Sequence, residues 1–266
     1  MKILLRKMKT SLHNGVAHYE LLAKDFALNL NSLVGKHIQL SHTGNFFCLN
    51  HKGPIKKTFG EGLCWKCFNE SAAATPCIIR PELCRIHEGI ALRGDVQWEM
   101  ENHMQEHFVY LSYTSGLKVG VTRCSNLQSR WIDQGAKKAI VLAKVPYRQL
   151  AGEIEVLLKD FISDKTNWKQ MLVQGNGSID LKEERERVID VMPEQYQDFV
   201  EFDSYEMEIN YPVLQHPLKP VALKLEVVPY SGKLKGIIGQ YLVLENDLVF
   251  NMRGNSGMEI ELITEE

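Results

Sequence analysis

The period of the apolar pattern changes several times between residues 108 and 161. Residues 108–113, Phe-Val-Tyr-Leu-Ser-Tyr, are rich in β-branched and aromatic side chains and predict a strand. Thr114-Ser115-Gly116 supplies a turn, and residues 117–122 predict a second strand, so the pair reads as a hairpin. Ser125 is placed as the N-cap of a helix over 126–134, with Gly135 as its stop. Residues 139–145 predict a third strand, closed by Pro146. Leu150, Ile154, Leu157, Leu158 and Phe161 then recur at helical spacing and predict an amphipathic helix. The order is β-β-α-β-α.

The flanks read differently. The acidic stretch 180–208 follows VQGNGS, a loop signal, and predicts a helix broken at Pro193 and a second short helix. Beyond Asn210 short apolar runs (INYPVL, ALKLEVV, QYLVLEN, LVFNM, MEIELI) are punctuated by proline and glycine and predict strands. Gly35-Lys-His-Ile-Gln-Leu40 is echoed by Gly239-Gln-Tyr-Leu-Val-Leu244, which predicts that strands from both ends pair in one small barrel or sandwich. The expected fold class is therefore α+β. Five segments follow: an N-terminal β segment (1–47), a metal-binding module (48–107), an α/β core (108–175), an acidic helical segment (176–209) and a C-terminal β-rich segment (210–266).

Composition narrows the functional classes. The 266 residues carry a formal net charge of -2, which excludes a histone-like polycation. The average hides opposed regions: 118–170 hold ten Lys/Arg against five Asp/Glu, and 171–208 hold three against eleven. Trp131, Tyr147 and Trp168 are interspersed in the basic stretch, as stacking groups would be, so a nucleic acid, DNA or RNA, is the expected partner. No run approaches the roughly 18 apolar residues of a membrane-spanning helix, and the start, MKILLRKMKT, is not a secretory leader. These features predict a cytoplasmic protein with reduced cysteines and no membrane partner.

Five of the six cysteines lie between Cys48 and Cys84. Cys48-x2-His51 and Cys64-x2-Cys67 are ligand pairs that tight turns can aim at one tetrahedral centre, so these four residues are assigned to a structural Zn²⁺ in a ribbon-like module. A second zinc site would take Cys77 and Cys84 with two of His87, His103 and His107. His103 and His107 are four apart and would share a face if that stretch were helical.

The central order and its residues resemble the GIY-YIG endonuclease superfamily over 108–172. The first signature tyrosine matches Tyr110 in Phe108-Val109-Tyr110, and the second signature matches Lys118-Val119-Gly120 before Val121-Thr122. The helix arginine matches Arg130, the glutamate four residues after an alanine matches Glu155 after Ala151, and the terminal asparagine matches Asn167. Lysine stands at 118 where the usual pattern has tyrosine; some branches also read lysine-hydrophobic-glycine there. The resemblance implies a hydrolase that cleaves phosphodiesters with Mg²⁺ or Mn²⁺. Glu155 would bind the metal, Arg130 would neutralise phosphoryl charge and Tyr110 would position the attacking water. Lys118 would contact phosphate or tune the tyrosine, and Glu153 stands as an alternative metal ligand. A non-catalytic nucleic-acid or protein-interaction module on the same fold is the competing expectation. Over its whole length the chain, through LKVGVTR, RWIDQGA, AGEIEV, DKTNW and GIIGQYLV, also resembles an uncharacterised bacterial and archaeal domain of unknown function.

Overall fold

Strands from opposite ends of the sequence meet in one sheet. The computed structural model of the protein describes residues 1–23, 26–162, 167–175 and 179–264. Its first part holds β1 (Lys2–Leu4), β2 (Lys9–His13), β3 (Val16–Leu22), β4 (Ala27–Asn29), β5 (His37–Phe47) and β6 (Pro54–Ile55). Helices α1 (Trp65–Glu70) and α2 (Val96–His103) then frame a series of single 3-10 turns. The central unit is β7 (His107–Tyr113), β8 (Leu117–Arg123), α3 (Leu127–Asp133), β9 (Lys138–Val145) and α4 (Arg148–Leu158). Helices α5 (Trp168–Leu172), α6 (Leu181–Val191) and α7 (Glu194–Gln197) lead to β10 (Met207–Glu208) and β11 (Val221–Ala222). The last strands are β12 (Tyr230–Ile238), β13 (Tyr241–Leu244), β14 (Leu248–Asn251) and β15 (Met258–Thr264).

The largest sheet runs β1-β15-β5-β12-β13-β14-β11, with β6 paired to β5. Leu40 of β5 lies between Leu262 of β15 and Tyr230 of β12, so the N- and C-terminal strands share a sheet as the glycine echo suggested. Among the described residues the sheet keeps two free ends and closes into no barrel. A register shift between Leu234 and Gly236 turns β12 away from β5 and into its ladder with β13, the local kink that a bulge produces. The sequence KLKGII of this strand, with Gly232 before it, offered no strand signal. Conversely, ALKLEVV gives only Ala222 to β11 and then a turn, and INYPVL makes isolated bridges at Asn210 and Val213.

The central antiparallel sheet, β10-β9-β7-β8, separates two cores. Successive side chains of a strand point to opposite faces. Val109, Leu111, Val119, Val121, Ile140 and Leu142 meet Ala151, Ile154 and Leu158 of α4, and Leu181 and Val188 of α6. Tyr110, Ala139 and Val141 face the other way, towards Trp131 and Ile132 of α3 and the interior of the large sheet. This unit is thus continuous with the terminal strands.

Two local expectations are corrected. Ser125 lies inside a 3-10 turn, and Asn126 stands at the α3 cap without a side-chain capping bond to the helix. Helix α4 ends at Leu158, leaving Phe161 beyond it and exposed. Residues 176–178 of the loop VQGNGS and 164–166 of the stretch DKTNW lie outside those described.

Candidate metal centres and a basic cleft

The first centre is assembled by two local turns. Cys48 follows β5, and the hairpin to β6 is closed by the amide of Cys48 on Gly53 O (3.0 Å) and that of Lys52 on Cys48 O (2.8 Å). This turn carries His51. Cys64 caps α1, its sulfur accepting the Cys67 amide at 3.4 Å, and the Cys64 amide donates to Cys48 Sγ at 3.3 Å. His51 Nδ1 stands 3.3 Å from Cys67 Sγ and 3.9 Å from Cys64 Sγ. Donor separations in a tetrahedral zinc site with ordinary bond lengths are roughly 3.4–3.8 Å. All four donors lie within 4.8 Å of one another. Burial raises the Cys48 thiol, but amides of Cys64, His51 and Asn50 outweigh it and bring the group down to about 6, which favours the thiolate a metal needs.

The second cluster differs from the expected one. Cys77, Cys84, His103 and Glu99 converge, all buried, with donor atoms again within 4.8 Å. Glu99 and His103 share a face of α2 one turn apart, and α2 ends there, so His103 and His107 are not on one helix. His107 opens β7 and bonds Gln105 O through Nδ1 (2.7 Å). His87 stacks on Tyr147, ring centroids 5.1 Å apart. Among the described residues the two groups Cys48–His51–Cys64–Cys67 and Cys77–Cys84–Glu99–His103 could each hold a zinc ion.

Between the metal-binding segments and α3 opens a cleft of about 730 Å³. Arg93, Arg123, Arg130 and Arg148 line it, and neutral groups hold three of them. Arg148 donates from Nε and NH2 to Cys77 O (2.9 and 2.8 Å). Arg123 donates to Asn102 Oδ1 (2.6 Å), and its other nitrogens reach the Asn126 amide oxygen at 2.9 and 3.3 Å. Arg130 donates to the Gln134 amide oxygen at 3.0 and 3.1 Å, and the Gln134 nitrogen then donates to Tyr110 Oη (2.7 Å). Arg93 Nε is buried without a partner. Among the described residues none of these four arginines is ion-paired, whereas Arg253 and Lys7 at the same cleft pair with Glu61 and Asp133.

Of the residues singled out by the superfamily resemblance, Arg130 lines this cleft, and Tyr110, Lys118, Glu153, Glu155 and Asn167 are not in its lining. Tyr110 is fully buried on β7, and Lys118 projects from β8 on the same face of the sheet, also buried. Burial raises the Tyr110 hydroxyl; the Arg130 charge lowers it, and the Glu155 carboxylate raises it. Glu155 lies on the stripe of α4 that carries Arg148 and Gly152, and its carboxylate is 3.6 Å from Lys159 Nζ. Glu153 points elsewhere and accepts from Gln149 (2.5 Å). Asn167 caps α5, its oxygen accepting the amides of Lys169 (3.1 Å) and Gln170 (3.3 Å). Glu99, Arg93 and Arg148 were not singled out from the sequence; the i,i+4 spacing of Glu99 and His103 is the signal that could have found the first.

The sequence profile of a family described as protein of unknown function (DUF2797) matches residues 35–260. No curated protein and no solved structure matches the chain.

Proposed function

The chain belongs to this family of unknown function, and from that premise we propose that it is a zinc-stabilised protein that binds the phosphodiester backbone of a nucleic acid in the arginine cleft. One observation carries the reading: four arginines line the cleft without carboxylate contacts among the described residues, three of them held in place by amide or carbonyl oxygens. A partly desolvated guanidinium whose hydrogen bonds go only to neutral acceptors is unfavourable, and phosphate oxygens offset that cost through bidentate, charge-assisted bonds. The zinc ions at the Cys/His clusters serve as structural ions, since closed sets of four protein donors leave no open position. Fluorescence anisotropy with single-stranded, duplex and branched DNA and RNA tests the reading. Binding that falls steeply with salt and weakens in Arg123→Ala is expected; no binding to any of them at low salt discards it.

A second reading, phosphodiester cleavage of GIY-YIG type, is favoured by the electrostatic reach of Glu155 to both Tyr110 and Arg130. A Mg²⁺ or Mn²⁺ ion at Glu155 would supply Lewis acidity to the scissile phosphate. Arg130 would hold the phosphoryl oxygens, and the Tyr110 hydroxyl, fixed by Gln134, would orient the water. The burial of Tyr110 places binding first. Incubating the same nucleic acids with either metal tests cleavage; a product that persists in Glu155→Ala sinks it.

A further inference from the structure

We propose that Cys77, Cys84, Glu99 and His103 form a carboxylate-containing metal centre whose occupancy fixes Arg148 in the cleft. The second half of this statement rests on the cleft reading above. The first half stands on geometry and burial. His103 Nδ1 lies 3.8 Å from Cys77 Sγ, 3.6 Å from Cys84 Sγ and 3.9 Å from Glu99 Oε2. These are close to the edges of a tetrahedron of N, S and O donors, roughly 3.4–3.8 Å with ordinary zinc bond lengths.

Glu99 is completely buried. Its Oε1 accepts the Arg93 amide at 3.1 Å, while Oε2, turned to the cluster, has no hydrogen-bond partner. The apolar neighbours Ile86, Ala91 and Leu92 pack on the two cysteines. An ionised carboxylate between two thiols in such a pocket is costly unless a cation joins them. Thr75 Oγ1, 2.8 Å from Cys77 Sγ, is a ready outer donor to a bound thiolate. Sulfur, imidazole and carboxylate donors suit Zn²⁺ and its spectroscopic substitute Co²⁺.

Two thiolates, one carboxylate and a neutral imidazole around a divalent ion leave one net negative charge. Arg148 is placed to answer it, bonded to the carbonyls of Cys77 and Ile78 and acting electrostatically on both thiols. The segment from Cys77 to Cys84 also presses on α4: a side chain at Gly152 would run into the backbone of Pro81 and Glu82. Metal at both ends of this segment therefore fixes the carbonyls that hold Arg148. Without it, both anchors are released and the guanidinium loses its acceptors.

The test compares the full chain with Glu99→Gln, which keeps size and removes the charge, with Cys84→Ser as a second variant and His87→Ala as a control. Metal content by plasma emission and Co²⁺ titration by absorbance are read beside circular dichroism. The wild type and His87→Ala should take two equivalents. Glu99→Gln and Cys84→Ser should keep the first and bind the second at least about tenfold more weakly. A wild type that saturates at one equivalent, or a Glu99→Gln chain with an unchanged second equivalent, overturns the site. The coupling is read with a labelled single-stranded DNA 20-mer, for which Glu99→Gln should lose affinity as Arg148→Ala does. Unchanged affinity after loss of the second metal overturns the coupling. A wild type that ignores the DNA removes the cleft reading, and with it the coupling, while the metal count still decides the site.

Discussion

Tyr110 and Gly120 face one another in register across β7 and β8, with the phenol ring lying over the glycine. A Cβ at position 120 would sit 2.5 Å from Tyr110 Oη and 2.6 Å from Cζ. The glycine is thus required by the tyrosine for a packing reason. Gly120→Ala should cost roughly 1–3 kcal/mol by overpacking, measured by urea unfolding. Tyr110→Leu in the same chain should recover part of that loss, which a double-mutant cycle would show as a favourable coupling; additive effects would contradict the contact.

Asp133 ties α3 to the N-terminal hairpin and the C-terminal strands. Its carboxylate, almost wholly buried, pairs with Lys7 and accepts from Thr10 Oγ1 (3.1 Å) and Gln240 Nε2 (2.8 Å). Asp133→Ala leaves the Gln240 amide short of an acceptor inside the core and should destabilise the fold by roughly 2–3 kcal/mol. Thermal unfolding of the variant should show the lowered midpoint, and Thr10→Ala alone should cost less.

His107 gives stability a pH dependence with a definite sign. Burial pushes its imidazole down to about 4, and Nε2 is buried without a partner. The unfolded chain binds the proton at about 6.5, so between pH 6.5 and 4 the unfolded state carries more protons and stability falls as pH falls. The contribution is complete above pH 6.5 and amounts to about 3 kcal/mol lost by pH 4. His107→Asn, whose amide can still donate to Gln105 O, should flatten this slope relative to wild type in parallel denaturant titrations. Identical slopes would remove His107 as the cause.

If phosphates occupy the cleft, affinity must respond to salt in proportion to the arginines engaged. Four contacts predict a slope of log K against log salt of roughly -3 for a single strand. Arg123→Ala should reduce its magnitude by about 0.7 and weaken all sequences alike. A slope near zero would show that the cleft is not reading a polyanion.

The elements legible from sequence were those specified by near neighbours. The β-β-α-β-α order appears because each strand and helix carries its own period, and the Cys48–His51 and Cys64–Cys67 pairs because two-residue spacing is itself a turn constraint. Strand β12 was missed because it is held by β5, far away in sequence, and its own glycines and lysines look like loop. Glu99 was missed because a glutamate on a helix is ordinary until burial is known. The cleft was missed for a similar reason: Arg93, Arg123, Arg130 and Arg148 have no common spacing, and only the fold brings them to one cleft.

The place of β5 in the large sheet has a consequence for synthesis on the ribosome. Both neighbours of β5, β12 and β15, are translated only after the metal-binding and central segments have emerged. The nascent chain therefore carries β5 with two open hydrogen-bonding edges for most of its elongation, an invitation to pairing between chains. The hairpin of β5 with β6, pinned by a zinc ion at Cys48 and His51, would shield the far end of that strand first. Zinc bound during translation would then protect the nascent strand before the finished fold can.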